Sequence, residues 1–474
     1  MTNRKVMLIV LDGATFDILM PWIEDGKLPN FKELVERGSY GNLISTLPPF
    51  SPVAYASLLT GKNPGKHGIF GFLKRRNNRF SLITSDDIRT KTIYDILSEE
   101  GKRIIAINLP LDYPPRKING IMISGFLAPK QSIFTYPENL TYQLRKKGYE
   151  IESVEERFVR GKEKQFLKRL YYVLEKRAEI ALELMKKEKW DFFLIVFTGT
   201  VRIQYYFWRY MERGDKRYGN EILKYYQKID QILGKFIREI DATTTLIIIS
   251  DHGFGRSKGN VYLNYWFLKK GLLKFKSSLV SLRMKLGLTQ HNILALSDKI
   301  PGLSFLTLLF YRIFSKIWLL RKALPYIFYN DIDFSRTKAY AGEYGGIYLN
   351  SDNNSLRNEI MKELKKIKGL NGENVFKNVY RKEELYSGPY LKDAPDILVE
   401  SEEYNPLGSF GFNKLISRDT VISGTHRRKG ILILWGGNIK KTIIKDAEIV
   451  DVTPTILKLM GVQIPEDMDG KPLV

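Results

Sequence analysis

Five short apolar runs constrain this chain more than any other feature. They occupy residues 6–11, 103–109, 192–197, 246–249 and 431–435, and they are built largely from Ile, Val, Leu and Phe. Runs of this length are too short for ordinary helices, and their unbroken apolarity suits strands buried on both faces of a sheet. Amphipathic helical patterns lie between them, the longest predicted at 163–189 and 219–240. Strands alternating with such helices predict an α/β fold with a doubly wound, mostly parallel sheet. At 474 residues and 44% hydrophobic content the chain can fill a large core.

Two of these runs end in potential metal ligands. "LIVLDG" brings Asp12 to the carboxyl end of the first strand, and "TTTLIIISDHGFG" brings Asp251 and His252 to the end of another. In open α/β sheets ligands bind at that edge. Two carboxylates and an imidazole there suit a divalent cation, whereas a turn cap at Asp251 and an incidental loop histidine are the plainer alternative. The chain has no cysteine, which excludes disulfides, thiolate metal sites and cysteine nucleophiles. Its four histidines are His67, His252, His291 and His426, which limits any imidazole-rich metal cluster.

A formal charge of +23 implies attraction to anions: phosphoesters, acidic lipid surfaces or nucleic acid. No nucleic-acid-binding module is evident and the lysines are scattered, so specific nucleic acid recognition is not expected. The apolar run at the amino terminus is too short for a signal peptide, which predicts a cytoplasmic protein, at most peripheral to a membrane. Residues 261–330 break the strand–helix rhythm with basic, aromatic and leucine-rich sequence. Ser304, Tyr311, Arg312, Ser315, Lys316 and Lys322 would share one side of a helix there. This segment is expected to be an inserted lid or a surface facing an acidic membrane or a partner, between core segments 1–260 and 331–474, with folding of its apolar face onto its own domain as the plainer alternative.

Ser51 followed by Pro52 reads as a helix start with Ser51 as its cap. A hydroxyl at a helix amino terminus also lies where backbone N–H groups attract a phosphate, so cap and nucleophile positions coincide. Downstream, "SGTHRRKGILIL" places His426 and Arg427 ahead of the last long apolar run.

Taken in order, "VLDG", "PPFSPVAYASLLTGKNPGKHGIFGF", "FTGT", "SDHGFG", "SGTHRRKGILIL" and "DVTPTILKLMGVQIPEDMDGKPL" resemble the alkaline phosphatase superfamily, specifically its type I phosphodiesterase/nucleotide pyrophosphatase-like branch. The resemblance implies a three-layer α/β/α domain with an inserted, mainly helical segment, and a metal-dependent phosphoric ester hydrolase. It implies Ser51 as nucleophile, and one divalent ion held by Asp12, Asp251, His252 and the Ser51 hydroxyl. The ion would be zinc, with manganese or magnesium as alternatives, and His426 would belong to a second ion. Arg202 and Arg427 would meet an anionic phosphoester substrate.

The family pattern breaks at "FTGTVRIQYYFWR". An aspartate and a histidine four residues apart are expected there as ligands of the second ion, but Val201 and Tyr205 stand at those positions. Three readings follow. The chain is a one-metal enzyme with Arg202 and His426 at the vacated position; or a catalytically degenerate member that binds anions or a membrane surface; or a two-metal enzyme whose second site is rebuilt by Glu343 or Tyr344.

Overall fold

In the computed structural model of the protein the five expected strands lie side by side in a nine-stranded sheet. The structure describes residues 4–76, 79–151, 158–286, 328–411, 414–418, 422–437 and 439–474. The sheet order is Ala447–Glu448, Ser39–Ile44, Lys429–Gly436, Thr244–Ile249, Lys5–Leu11, Phe192–Phe197, Ile104–Leu109, Gly120–Ser124, Thr135–Tyr136. The run from Thr244–Ile249 to Gly120–Ser124 is parallel throughout. Lys429–Gly436 is antiparallel to both of its neighbours.

Side chains alternate between two cores, as the period of a strand demands. Met7, Ile9 and Leu11 face one core together with Phe193, Ile195 and Phe197; Val6, Leu8 and Val10 face the other with Phe192, Leu194 and Val196. Helices Glu163–Lys187, Gly199–Glu212 and Glu221–Glu239 cover the first face, and Ser51–Thr60, Ile93–Glu99 and Val452–Leu459 cover the second. The result is the expected three-layer α/β/α arrangement. Each fully buried aliphatic or phenyl side chain contributes roughly 1.5–3 kcal/mol, and the one side-chain amide inside the five expected strands, Asn108, donates to the Val196 carbonyl at 2.9 Å.

A third core joins Val261, Leu263, Phe267 and Met284 to Ala339, Ile347, Ile397 and Val399. It underlies a four-stranded antiparallel sheet and a smaller three-stranded one. Within 261–330, helices Leu263–Lys269 and Ser278–Lys285 pack on this core. The expected helix face carrying Ser304 to Lys322 falls in 287–327, outside the described residues, as does His291. No helix among the described residues is long and apolar enough to cross a membrane.

Candidate active site

The parallel strands Lys5–Leu11 and Thr244–Ile249 are adjacent and in register, so their carboxyl ends deliver Asp12, Asp251 and His252 to one point. All three are buried, and one ligand atom from each lies within 4.8 Å of the others. The histidine is the hub of this cluster. Its Nδ1 is 2.8 Å from the Gly253 carbonyl, which can only accept, so Nδ1 carries a hydrogen and Nε2 is the atom turned to the cluster. That nitrogen faces Asp12 Oδ1 and Asp251 Oδ2, each at 3.5 Å. The Ser51 hydroxyl lies within hydrogen-bond distance of it, at 3.4 Å.

Ser51 is the first residue of helix Ser51–Thr60, whose cap position is held by Phe50 with no side-chain cap bond. The expected capping role therefore gives way: the Ser51 hydroxyl turns toward His252 rather than to the helix backbone.

Two carboxylates facing one another in a buried site repel unless a cation lies between them. Asp251 Oδ2 is buried with no hydrogen-bond donor, while Asp251 Oδ1 accepts from Gly13 N–H at 3.3 Å. Ligands about 2.0–2.1 Å from a tetrahedral zinc lie roughly 3.4 Å apart. The spacings of 3.4 and 3.5 Å around His252 Nε2 fit that requirement.

The supporting contacts are specific. The Thr200 hydroxyl donates to the Asp12 carbonyl at 2.6 Å, Gln204 donates to the Gly13 carbonyl at 2.9 Å, and Ser45 donates to the Asp251 carbonyl at 2.6 Å. Ser250 ties the Ala14 carbonyl to the Ile431 N–H. These positioning residues were not singled out by sequence reasoning, although Thr200 and Ser250 sit inside "FTGT" and "SDHGFG". Tyr55 lies beneath the cluster, where burial and the charges of Asp12 and Asp251 push its phenol far above the usual range.

His426 arrives through the antiparallel ribbon Gly253–Arg256 with Gly424–Arg427, in which Phe254 opposes His426. Its ring stacks on His252 with centroids 3.6 Å apart. Its Nδ1–H donates to the Pro49 carbonyl at 2.8 Å, and its Nε2 accepts from the Tyr205 hydroxyl. Burial, followed by His252, drives the His426 imidazole well below its usual range, so it is neutral. Burial, with Tyr344 and Asp12 nearby, keeps Tyr205 protonated. Val201 packs on the other side: a Cβ added to Gly13, whose φ is +67°, would lie 3.0 Å from Val201 Cγ2 and 3.4 Å from His252 Cε1. Val201 and Tyr205 thus fill the space beside the acid–histidine cluster with a methyl group and a phenol.

The remaining expected residues lie as follows. Arg202 stands half-buried on the first turn of helix Gly199–Glu212. Arg427 leaves its strand opposite to His426, packs over Gly255 and reaches toward Asp17 at 3.8 Å. Glu343 is turned to another task, accepting from Leu73 N–H at 2.8 Å. Tyr344 stacks on Phe50 at 5.0 Å, and its hydroxyl accepts from His426 N–H at 3.2 Å. His67 accepts from Ile69 N–H through Nδ1 and donates through Nε2 to Ser57, a structural role away from the cluster. A cleft of about 700 Å³, lined by the ion pairs Arg89–Asp393 and Arg357–Glu383, contains none of the cluster residues.

The layered sheet and the buried acid–histidine cluster at its carboxyl edge define an α/β protein of the alkaline phosphatase type. The chain belongs to the type I phosphodiesterase/nucleotide pyrophosphatase family, whose sequence profile matches residues 6–405. Similar solved structures include phosphonoacetate hydrolase from Sinorhizobium meliloti 1021 in complex with phosphonoacetate, at 16% identity and TM-score 0.64, covering 97% of this chain and 96% of that one. Human ectonucleotide pyrophosphatase/phosphodiesterase 5 matches at 15% identity and TM-score 0.54, covering 99% and 97% of the two chains. The alkaline phosphatase PafA matches at 15% and TM-score 0.58, covering 100% and 99%. No curated protein sequence matches the chain.

Proposed function

We propose that the protein is a one-metal phosphoric ester hydrolase with Ser51 as its nucleophile. The observation that carries this reading is the convergence of Asp12 Oδ1, Asp251 Oδ2 and Ser51 Oγ on His252 Nε2 at 3.4–3.5 Å. Asp12, Asp251 and His252 would hold the ion, and the ligand spacing favours zinc over manganese or magnesium. When bound, a divalent cation lowers the pKa of a neighbouring hydroxyl and neutralises charge on the transferring group.

The chain's own residues supply the rest. Ser51 gives up its hydroxyl proton to solvent as Oγ attacks phosphorus, the bond from phosphorus to the leaving alkoxide breaks, and the alkoxide takes a proton from solvent. Water then attacks the phosphoserine, restoring the hydroxyl and releasing phosphate or a phosphomonoester. Arg202 supplies positive charge to the substrate from the first turn of its helix. Arg427, directed at Asp17, contributes its field rather than a contact. His426 keeps its Nε2 bonded to Tyr205 and does not hold an ion. Family membership favours diesters or pyrophosphates over simple monoesters.

Metal content per chain and hydrolysis of a chromogenic phosphodiester test the reading together. One ion per chain, lost with turnover in Asp251→Ala, is the expected result. Two ions per chain would overturn the one-metal assignment. No ion after incubation with zinc, manganese or magnesium would favour a degenerate, anion-binding member instead.

A further inference from the structure

Phosphoester chemistry leaves the basic, apolar segment after the site strand without a purpose. Residues 252–297 contain no aspartate or glutamate, yet eight lysines and arginines fall between Arg256 and Lys285. Acids elsewhere in the fold pair with three of them: Glu212 with Arg256, Glu403 with Lys258, and Glu363 with Lys270. Lys274, Lys276 and Lys285 remain exposed around helix Ser278–Lys285.

That helix presents the densest exposed apolar surface among the described residues. Leu279, Leu282 and Leu286 expose 77, 54 and 51% of their surface, whereas Met284 is buried in the third core. At about 3.6 residues per turn, the spacing i, i+3, i+7 aligns the three leucines on one face, opposite Met284. The same geometry puts Arg283 on one flank of the leucine stripe and Lys285 on the other. Aligned leucines bracketed by cations are the pattern of a surface that inserts apolar tips while its lysines stay at charged headgroups.

We propose that Leu279, Leu282 and Leu286, with Lys274, Lys276, Arg283 and Lys285 around them, dock the protein on an anionic lipid bilayer. Charge complementarity selects this occupant. The patch's own segment holds no acid, Asp331 beside Lys276 and Arg283 leaves a surplus of cations, the whole chain carries +23, and each basic residue close to an acidic membrane strengthens binding about fivefold. An apolar protein groove would match the leucines but not the ring of cations. The proposal goes beyond the catalytic reading and stands or falls separately, since none of these residues touches Ser51, Asp12, Asp251 or His252.

Sedimentation of the full chain with sucrose-loaded phosphatidylcholine vesicles, with and without about 30% phosphatidylserine, tests it at about 0.15 M salt. Binding to the anionic vesicles and at least tenfold weaker binding to the neutral ones are expected. Leu279→Ser with Leu282→Ser should weaken anionic binding about tenfold, and so should Lys276→Glu with Lys285→Glu, with melting temperature and phosphodiester hydrolysis unchanged. Failure of the intact chain to bind would overturn the proposal, as would undiminished binding by the leucine variant. A leucine variant that melts several degrees lower, in a chain that ignores vesicles, would show that protein covers the stripe. Loss of hydrolysis in Asp251→Ala with vesicle binding intact would separate this surface from the active site.

Discussion

Ser51 is the residue on which the catalytic reading turns, because in that reading Asp12, Asp251 and His252 hold the ion and the Ser51 hydroxyl is left as the nucleophile. Ser51→Ala should lower phosphodiester turnover about 1000-fold or more while leaving metal content unchanged, as elemental analysis beside the rate assay will check. Two buried groups give the folded protein opposed responses to pH. Burial lowers His67 from an ordinary 6.5 to about 3, so between those values the unfolded chain binds more protons than the folded one. Stability from His67 is therefore complete above about 6.5 and is lost as pH falls toward 3, by roughly 1.4 kcal/mol per unit at most. Asp112 has the reverse sign: burial raises its carboxyl from 3.8 to about 7, although the Tyr94 hydroxyl donates to it at 3.2 Å. The folded chain then holds the extra proton, and stability is lost as pH rises from about 4 to 7. Asp112→Asn should raise stability at pH 8 by about 1–3 kcal/mol and change it little at pH 4, measured by urea unfolding at both.

At the scale of an element, helix Gly199–Glu212 carries the test of the one-metal proposal. Val201 and Tyr205 are four residues apart, one turn of the same face, and that face meets Gly13 and His426. Val201→Asp with Tyr205→His replaces a methyl group and a phenol by two ligands and frees His426 Nε2. Metal content is expected to rise from one ion to two per chain in zinc-saturated protein. Tyr205→Phe instead leaves His426 Nε2 buried without its donor, at a cost of about 1–3 kcal/mol in unfolding free energy. Ribbon Gly253–Arg256 with Gly424–Arg427 is the other deciding element, because its register alone brings His426 onto His252.

For the whole molecule, charge and layering act against one another. The two faces of the sheet supply the burial that holds the layers together, while +23 charges repel across the surface. Salt screens that repulsion over about 10 Å at 0.1 M, so the melting temperature should rise by about 1–3 °C between 10 and 150 mM sodium chloride. A fall would mean that ion pairs between distant parts of the chain, such as Arg89–Asp393, outweigh the repulsion. The sequence by itself determined the five central strands, the long helices, and Asp12, Asp251 and His252 at the strand ends. Each is written locally, in an apolar run of strand length or a helical period, and parallel pairing then carries adjacent strand ends to one edge. Short strands with polar alternation, such as Ser39–Ile44, carry too little of that signal to be singled out. Only the tertiary structure decided that Ser51 turns toward His252, that Tyr205 caps His426 Nε2, and that Arg427 points to Asp17. Those outcomes depend on pairing between residues 201 and 221 positions apart, and on which face of a strand a side chain leaves. No local pattern encodes that register; the packing of the layers and the third core against each other sets it.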